Sequence, residues 1–222
     1  MLFLLCIGFC WVKRSEVSVF CYTNGMKYVV GIDEVGRGPV AGPVSVGAFR
    51  IQPVQLKLNI KKLKLRDSKK LSKTHREEWF KIIKKWKQEG RCDFAVVSVS
   101  AKEIDRIGIS QAIRKCVSKC LYKLSANNYD LVLLDGSLKA PIEFRNQKTI
   151  IKGDEKEPVI SLASIVAKVT RDRYMRNQAK KYPAYGFENH VGYGTRKHYE
   201  AIKKKGLTPL HRRTYLKNKN KK

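Results

Sequence analysis

The stretch DLVLLDG, residues 130–136, sets four consecutive large apolar residues between two aspartates. It lacks the polar–apolar alternation of a strand that has one face in water. Such an unbroken run is typical of a strand that is buried on both faces of its sheet. Because sheets covered on both faces are characteristic of α/β proteins, this run predicts an α/β domain.

Other segments are rich in residues that favour extended backbone and are bounded by turn residues. The first two of them are joined by a turn rich in glycine and proline, which predicts a β-hairpin. The segments are residues 27–33, 43–51, 92–100 and 148–154.

Helices are predicted between and after these strands from apolar spacing and from helix-start signals. The first carries apolar residues at helical spacing, namely Trp79, Ile82, Ile83 and Trp86. Further helices are predicted at residues 109–124, 158–181 and 196–205. Strands first, then strands alternating with helices, indicate one mixed sheet with helices packed on it.

Two of the predicted helix starts have capping-box spacing. Thr74 with Glu77 predicts the start of the first helix, and Gly90 is expected to end it. Ser100 with Glu103 predicts a second start, directly after the strand at 92–100.

The charge of the chain favours polyanions as partners. Lys and Arg number 47 against 19 Asp and Glu, which gives a formal net charge of +28. A field of that sign and size attracts nucleic acid, and less specifically an anionic membrane. A ribosome-associated or chromatin-like binder would carry a similar excess, so charge alone does not choose between these classes.

The cysteines argue against a zinc site and for a reducing compartment. None of the six forms a CxxC pair, and no histidine stands at zinc-finger spacing. Cys116 and Cys120 are four residues apart on a predicted helix face and are expected to be core residues. Scattered cysteines of this kind are typical of reduced, cytoplasmic proteins.

The first 25 residues differ in character from the rest. Their run MLFLLCIGFCWV is too short to span a bilayer, lacks a preceding basic region and shows no evident cleavage site. We expect a disordered leader or an over-extended gene start before Met26, with a signal anchor as the alternative. No membrane association is expected of the folded part.

Carboxylates follow three of the predicted strands. Asp33 and Glu34 end the first, Asp135 ends the buried one, and Asp154 follows the last. Each alone could be a turn or capping residue. Ligands bind at the carboxyl ends of strands in α/β sheets, and oxygen ligands suit magnesium or manganese. Together the four acids predict metal-dependent phosphoryl transfer.

Separated motifs carry a resemblance to a known family. They are GIDEVGRGPVAGPV, DSKKLS, LLDG, IKGDEKEPVISLASIVAKVTRDRYM and YGFENHVGYGT. In this order, from about residue 28 to residue 215, they resemble prokaryotic ribonuclease HII. The resemblance implies an α/β, RNase H-like fold: a central mixed β-sheet flanked by helices, with a small helical C-terminal extension.

The same resemblance implies a division of the chain. The expected parts are a leader at 1–25, an RNase H-like catalytic domain at 26–181, a helical and loop extension at 182–215 and a basic tail at 216–222.

The activity that the resemblance implies is endonucleolytic cleavage of RNA in RNA–DNA hybrids. It extends to incision 5′ of ribonucleotides embedded in duplex DNA, and so to ribonucleotide excision repair and DNA replication. Two divalent ions, Mn²⁺ or Mg²⁺, would act in a hydrolysis that leaves 3′-hydroxyl and 5′-phosphate ends. The family's catalytic and metal-binding acids fall on Asp33, Glu34, Asp135 and Asp154. A monomer in the cytoplasm is expected.

Substrate-binding residues are implied in the same way. The glycines of a GRG element allow close backbone approach to a ribose 2′-OH, lysines contact phosphate, and a tyrosine packs against the sugar at the RNA–DNA junction. The matching residues are Gly36, Arg37, Gly38, Ser68, Lys69, Lys70 and Tyr193.

Several neighbouring residues receive weaker interpretations. Asp67 is expected to organise its loop, and Lys152 and Lys168 are either backbone contacts or solvated charges. His190 and His211 are expected to be structural.

Two alternatives to this function stay open. Ribonuclease HIII shares the acids but has an extra N-terminal substrate-binding domain, for which about 27 residues before the first strand leave no room. A non-catalytic, basic nucleic-acid-binding protein on a degenerate nuclease scaffold would not need all four acids.

Overall fold

The computed structural model describes residues 27–56 and 71–216. Its strands are β1 (Val29–Val35), β2 (Val44–Ile51), β3 (Cys92–Val99), β4 (Leu131–Asp135) and β5 (Gln147–Ile150). Its helices are α1 (Lys73–Gln88), α2 (Ala101–Ile107), α3 (Ile109–Lys123), α4 (Gly153–Lys156), α5 (Pro158–Lys181), α6 (Phe187–His190), α7 (Arg196–Lys205) and α8 (Arg213–Leu216). Residues 53–56 and Pro183–Tyr185 form additional short helical turns.

The strands form one mixed sheet in the order β3-β2-β1-β4-β5. β1 and β2 pair antiparallel as the predicted hairpin, and β3 continues that antiparallel half. β1, β4 and β5 run parallel, with Ile32 opposite Leu134. The carboxyl ends of these three strands therefore lie at the same edge of the sheet.

The sheet is covered by helices on both faces, as the apolar run predicted. Val132 and Leu134 of β4 belong to one core cluster, which contains the buried face of α3. Leu131 and Leu133 belong to the other, with α1 and α5. Alternate residues of one strand thus serve two cores, which explains why the run has no polar position. The α/β class with a central mixed sheet flanked by helices is confirmed.

Two local predictions were wrong. α1 is capped by the Ser72 side chain, which accepts from the His75 N–H, so the helix starts before Thr74. The strand at 148–154 ends at Ile150, and Asp154 lies on the short helix α4. The other capping prediction was right, since the Ser100 hydroxyl accepts from the Glu103 N–H.

The C-terminal segment packs on the end of α5 and on the loop between β1 and β2. Its cluster joins Ala41 of that loop to Met175 and Phe187. The chain division at residue 181 stays a prediction, and residues 1–26 and 217–222 lie outside the described residues. Within the described part, none of the helices has both the length and the apolar character needed to cross a bilayer.

Acidification is expected to destabilise the fold through His211 of this segment. Burial, together with nearby His198, lowers the pKa of the His211 imidazole from 6.5 to about 4. Below the higher value the unfolded chain binds a proton that the folded chain excludes. The free energy of unfolding should therefore fall by up to about 1.4 kcal/mol per pH unit as the pH drops towards the lower value.

Urea unfolding at about pH 7.5 and about pH 5 measures this loss of unfolding free energy. His211→Asn is the comparison, because it removes the titrating group while all other ionisable groups contribute to both proteins. The variant should lose less stability on acidification than the wild type. An equal loss of stability in the two proteins would show that His211 is not the group responsible.

Candidate active site

The acidic residues come together at the carboxyl edge of the sheet. Asp33 and Glu34 are near the end of β1, and Asp135 ends the neighbouring parallel strand β4. Asp154 enters from α4, almost fully buried. All three of the other carboxylates are close enough to Asp33 to raise the pKa of its carboxyl group. The convergence that the sequence pattern predicted is present.

The surroundings of Asp33 disfavour the ionised form of its carboxyl group. Its residue is 5% exposed, and burial is the main reason why its pKa rises from 3.8 to about 7. A hydrogen bond with the Ser164 side chain opposes that rise. Burial also raises the pKa of Glu34, while Arg37, at 3.5 Å, stabilises the ionised form.

A sharp turn after β5 brings Asp154 to the other acids. Lys152 has a left-handed backbone with φ of 55°, and α4 begins immediately after it. The Gly153 N–H then donates to Asp135 Oδ1 at 2.6 Å. A Cβ at Gly153 would lie 2.6 Å from Ile160 Cδ1, so a larger residue in this turn would have to displace the end of the Ile160 side chain on α5. The contact ties the segment that carries Asp154 to the end of β4.

The donor set fits a hard divalent cation. All four side chains offer carboxylate oxygens, the ligands that magnesium and manganese prefer. A cation would also offset the desolvation and repulsion that raise the pKa of Asp33. Among the described residues, no three His, Cys, Asp or Glu side chains are already arranged as a metal site. Magnesium usually keeps water and substrate phosphate in its shell, so a partly open set of acids is compatible with it.

An open cleft of about 370 Å³ is lined by Asp33, Glu34 and Asp135, while Asp154 lies buried behind them and is not part of the lining. The predicted substrate-binding residues Gly36, Arg37, Gly38 and Tyr193 line it. Sequence reasoning missed two polar lining residues, Arg76 and Ser164, and left Lys168 undecided. Arg76 lies at the start of α1, a few residues after the DSKKLS motif, and that proximity was the available signal.

Lys168 has a structural partner as well as a place in the cleft. Its ammonium group lies 3.0 Å from Asp172 Oδ1, one turn along α5. Lys152 is exposed in the turn before α4. Ser68, Lys69, Lys70 and Asp67 lie outside the described residues, so their predicted roles stay predictions.

Two buried arginines hold the loop that carries the GRG element. Arg212 donates to the carbonyl oxygens of Gly36, Arg37 and Gly42. Arg171 donates to those of Pro43, Ala41 and Val191. Arg212 is fully buried and Arg171 is 1% exposed, so backbone carbonyls replace their water. The loop geometry over the acids therefore depends on residues far away in the sequence.

Tyr193 projects into the cleft beside Gly38. Its residue is 46% exposed, and its Cε1 atom is 3.8 Å from where a Cβ of Gly38 would be. Gly192 has φ of 92°, and a Cβ there would lie 2.2 Å from the Ala41 carbonyl oxygen. The glycine is therefore required for this loop to approach the β1–β2 loop.

Solved structures share this fold. The ribonuclease HII of a PCNA complex from Archaeoglobus fulgidus superposes with a TM-score of 0.66 at 27% identity, covering 83% of this chain and 93% of that one. Ribonuclease H2 from Pyrococcus horikoshii gives a TM-score of 0.63 at 31% identity, covering 84% and 93%. A mixed sheet of this topology with acids at its carboxyl edge thus defines a nuclease of the ribonuclease H type.

The particular family follows from the sequence comparisons. The family model described as Ribonuclease HII matches residues 30–219. Ribonuclease HII of Endomicrobium trichonymphae is 47% identical over 194 residues, which cover 87% of this chain and 88% of that protein. The chain belongs to the ribonuclease HII family. It is a ribonuclease H, an endonuclease that acts on RNA–DNA hybrids and depends on divalent metal ions.

Proposed function

We propose that the enzyme cleaves RNA–DNA hybrids and incises 5′ of ribonucleotides embedded in duplex DNA, using two Mn²⁺ or Mg²⁺ ions. The convergence of Asp33, Glu34, Asp135 and Asp154, the first three of which line an open cleft with basic walls, is the observation that supports it. Bound divalent ions would supply activation of water and stabilisation of the leaving 3′ oxygen. The enzyme acts in the cytoplasm as a monomer without membrane attachment. Its cleavage serves ribonucleotide excision repair and DNA replication.

Each acid has its own part in this proposal. Asp33, Glu34 and Asp135 would hold one ion, and Asp154 would help to hold the second. Asp33 is placed to do so by β1 and by its hydrogen bond with Ser164. Asp135 is oriented by the Gly153 N–H, which fixes one of its oxygens and leaves the other for an ion.

The loops around the acids select the substrate. The main chain at Gly36–Gly38 reads the ribose 2′-OH, and Arg171 and Arg212 hold that main chain in position. Ser68, Lys69 and Lys70 contact the phosphate backbone, joined by Arg76 and Lys168 on the cleft wall. Tyr193 packs on the sugar next to the scissile bond.

The chemistry of the cut ends tests the mechanism. A duplex DNA with one ribonucleotide should be cut only with a divalent ion present and should yield 3′-hydroxyl and 5′-phosphate ends. The reason is that the 2′-OH is recognised and does not attack. Mass spectrometry of the fragments distinguishes the outcomes, and a 2′,3′-cyclic phosphate would refute the mechanism.

Replacing Tyr193 by Ala should weaken cleavage at a lone ribonucleotide far more than cleavage of a uniform hybrid. We expect about a tenfold fall in the ratio of the two rates, a loss at the lower end of the about 1–3 kcal/mol that stacking of a base on an aromatic ring contributes. Single-turnover rates on the two substrates give the ratio. Tyr122→Ala, on α3, exposed and not part of the cleft lining, is the matched control and should leave the ratio unchanged. Equal losses on both substrates would remove Tyr193 from junction recognition.

A further inference from the structure

Three of the four histidines in the chain form a cluster next to Tyr193: His190 and His198 bind the main chain there, and His211 binds His198. His198 is fully buried and His211 is 3% exposed. The ring of His190 lies over that of His198 with centroids 4.4 Å apart. None of the three is among the cleft-lining residues, so the activity described above does not account for the two buried imidazoles or for half-buried His190.

The protons on two of these imidazoles can be assigned from their partners. The Thr208 backbone N–H, which can only donate, lies 2.9 Å from His211 Nδ1. That nitrogen must therefore accept and carries no proton. A neutral His211 then carries its proton on Nε2, which lies 3.1 Å from His198 Nε2.

The assignment continues through the next ring. Because His211 Nε2–H donates, His198 Nε2 must accept, and the proton of His198 is on Nδ1. That Nδ1–H lies 2.8 Å from the carbonyl oxygen of Tyr193. The hydrogen bonds thus run in one direction, from Thr208 through His211 and His198 to Tyr193.

The same reasoning assigns the proton of His190, which binds the residue before Tyr193. The Gly192 N–H donates to His190 Nδ1 at 3.2 Å, so the proton of His190 is on Nε2 and donates to the Tyr185 carbonyl at 2.8 Å. Imidazoles therefore bind the Gly192 N–H and the Tyr193 carbonyl oxygen. Glycines flank Tyr193 on both sides. Backbone hydrogen bonds also hold this segment: the Val40 and Ala41 N–H groups donate to the Gly192 carbonyl, and the Thr195 N–H donates to the Tyr193 carbonyl, which thus accepts from both Thr195 and His198.

We propose that His198 is a positioning residue for Tyr193, and that Thr208 and His211 hold it in the one tautomer that can donate to the Tyr193 carbonyl. The proposal rests on the proposed role of Tyr193 at the RNA–DNA junction. Recognition of a lone ribonucleotide is then governed by a buried chain that never contacts the substrate. Burial lowers the pKa of both His198 and His211, which keeps both rings neutral as this chain requires.

The tautomers can be observed directly. With ¹⁵N-labelled histidine, long-range ¹H–¹⁵N spectra at about pH 7.5 should show the Nδ1–H form for His198 and the Nε2–H form for His211 and His190. His75, on α1 and exposed, is the internal reference for an unconstrained ring. An Nε2–H or cationic His198 would overturn the proposal.

Matched variants of His198 test the effect on specificity. In His198→Asn the amide nitrogen takes the place of Nδ1 and still donates to Tyr193, so the ratio of lone-ribonucleotide to hybrid cleavage should stay within about twofold of wild type. In His198→Gln the amide lies at the place of Nε2 and the bond to Tyr193 is lost. The ratio should then fall about tenfold, which corresponds to the loss of about 1.4 kcal/mol. Equal ratios in the two variants would overturn the proposal.

Tyr193→Ala, measured beside them, separates this inference from the function on which it rests. If Tyr193→Ala lowers the ratio and His198→Gln does not, the inference fails and the role of Tyr193 stands. If Tyr193→Ala leaves the ratio unchanged, the role of Tyr193 itself fails. Should His198→Gln not fold by circular dichroism, His211→Asn decides, because it removes the donor to His198. It should give a mixed His198 tautomer and a ratio lowered about threefold, and an unchanged tautomer and ratio would overturn the proposal.

Discussion

Replacing Asp33 by Asn should lower the rate of cleavage about a thousandfold or more, without loss of stability. The side chain keeps its shape but loses the charge that the proposed ions require, and Asp33 is the most buried point at which β1 reaches the cleft. A thousandfold loss corresponds to about 4 kcal/mol of transition-state stabilisation. Single-turnover cleavage of a hybrid at saturating enzyme measures it, with substrate binding followed separately by fluorescence anisotropy.

The stability half of this prediction follows from the electrostatics. Burial and three neighbouring carboxylates disfavour the ionised form of Asp33, which is why its pKa is about 7. A neutral amide avoids this cost, so the metal-free variant should unfold at the same temperature as the wild type or higher.

Asp93→Asn is the matched control for this substitution. Asp93 lies at the start of β3, away from the cleft, in an ion pair with Lys87. That variant should cleave at the wild-type rate. An Asp33→Asn protein that cleaves within about tenfold of wild type would remove Asp33 from the ion-binding set. If the variant were inactive because it is unfolded, its thermal melting curve would show no folding transition.

The sequence could predict the acidic site because its main elements are local. Asp33 and Asp135 end strands whose direction follows from the hairpin and the buried run, so their meeting at one edge is a matter of topology. Asp154 was predicted from its place after a strand, but the strand ends at Ile150 and Asp154 lies on α4. Its place depends on a left-handed Lys152, which no pattern of residue types indicates.

Other parts of the site could not be predicted from the sequence. The arginines that hold the GRG loop contact carbonyl groups 128 residues away in the case of Arg171 and 176 residues away in the case of Arg212. A backbone carbonyl has no residue type, so nothing in the sequence marks it as a partner. The histidine chain is hidden for the same reason, because its two ends are a peptide N–H and a peptide oxygen.

Replacing Gly31 by Ala should lower the free energy of unfolding by about 3 kcal/mol or more. Gly31 is in the middle of β1, and a Cβ there would lie 2.2 Å from the carbonyl oxygen of Val159 and 2.6 Å from the nitrogen of Ile160. Both atoms belong to the backbone of α5, so no side-chain rotation can relieve the overlap. Gly47 of β2 meets the carbonyl oxygen of Ala163 in the same way, at 2.4 Å.

The two glycines let one face of α5 lie directly on the sheet, and the site depends on that contact. Residue 164, a serine, follows the second contact point on α5 and reaches Asp33 through its side chain. A displaced α5 would carry Ser164 and the Gly153 turn away from the acids, so Gly31→Ala should lose activity as well as stability. Gly90→Ala is the control, since its φ of 67° costs roughly 1 kcal/mol in strain but its Cβ would meet no atom within 4 Å. Urea unfolding of both variants gives the comparison, and equal costs would mean that α5 adapts to the extra methyl group without strain.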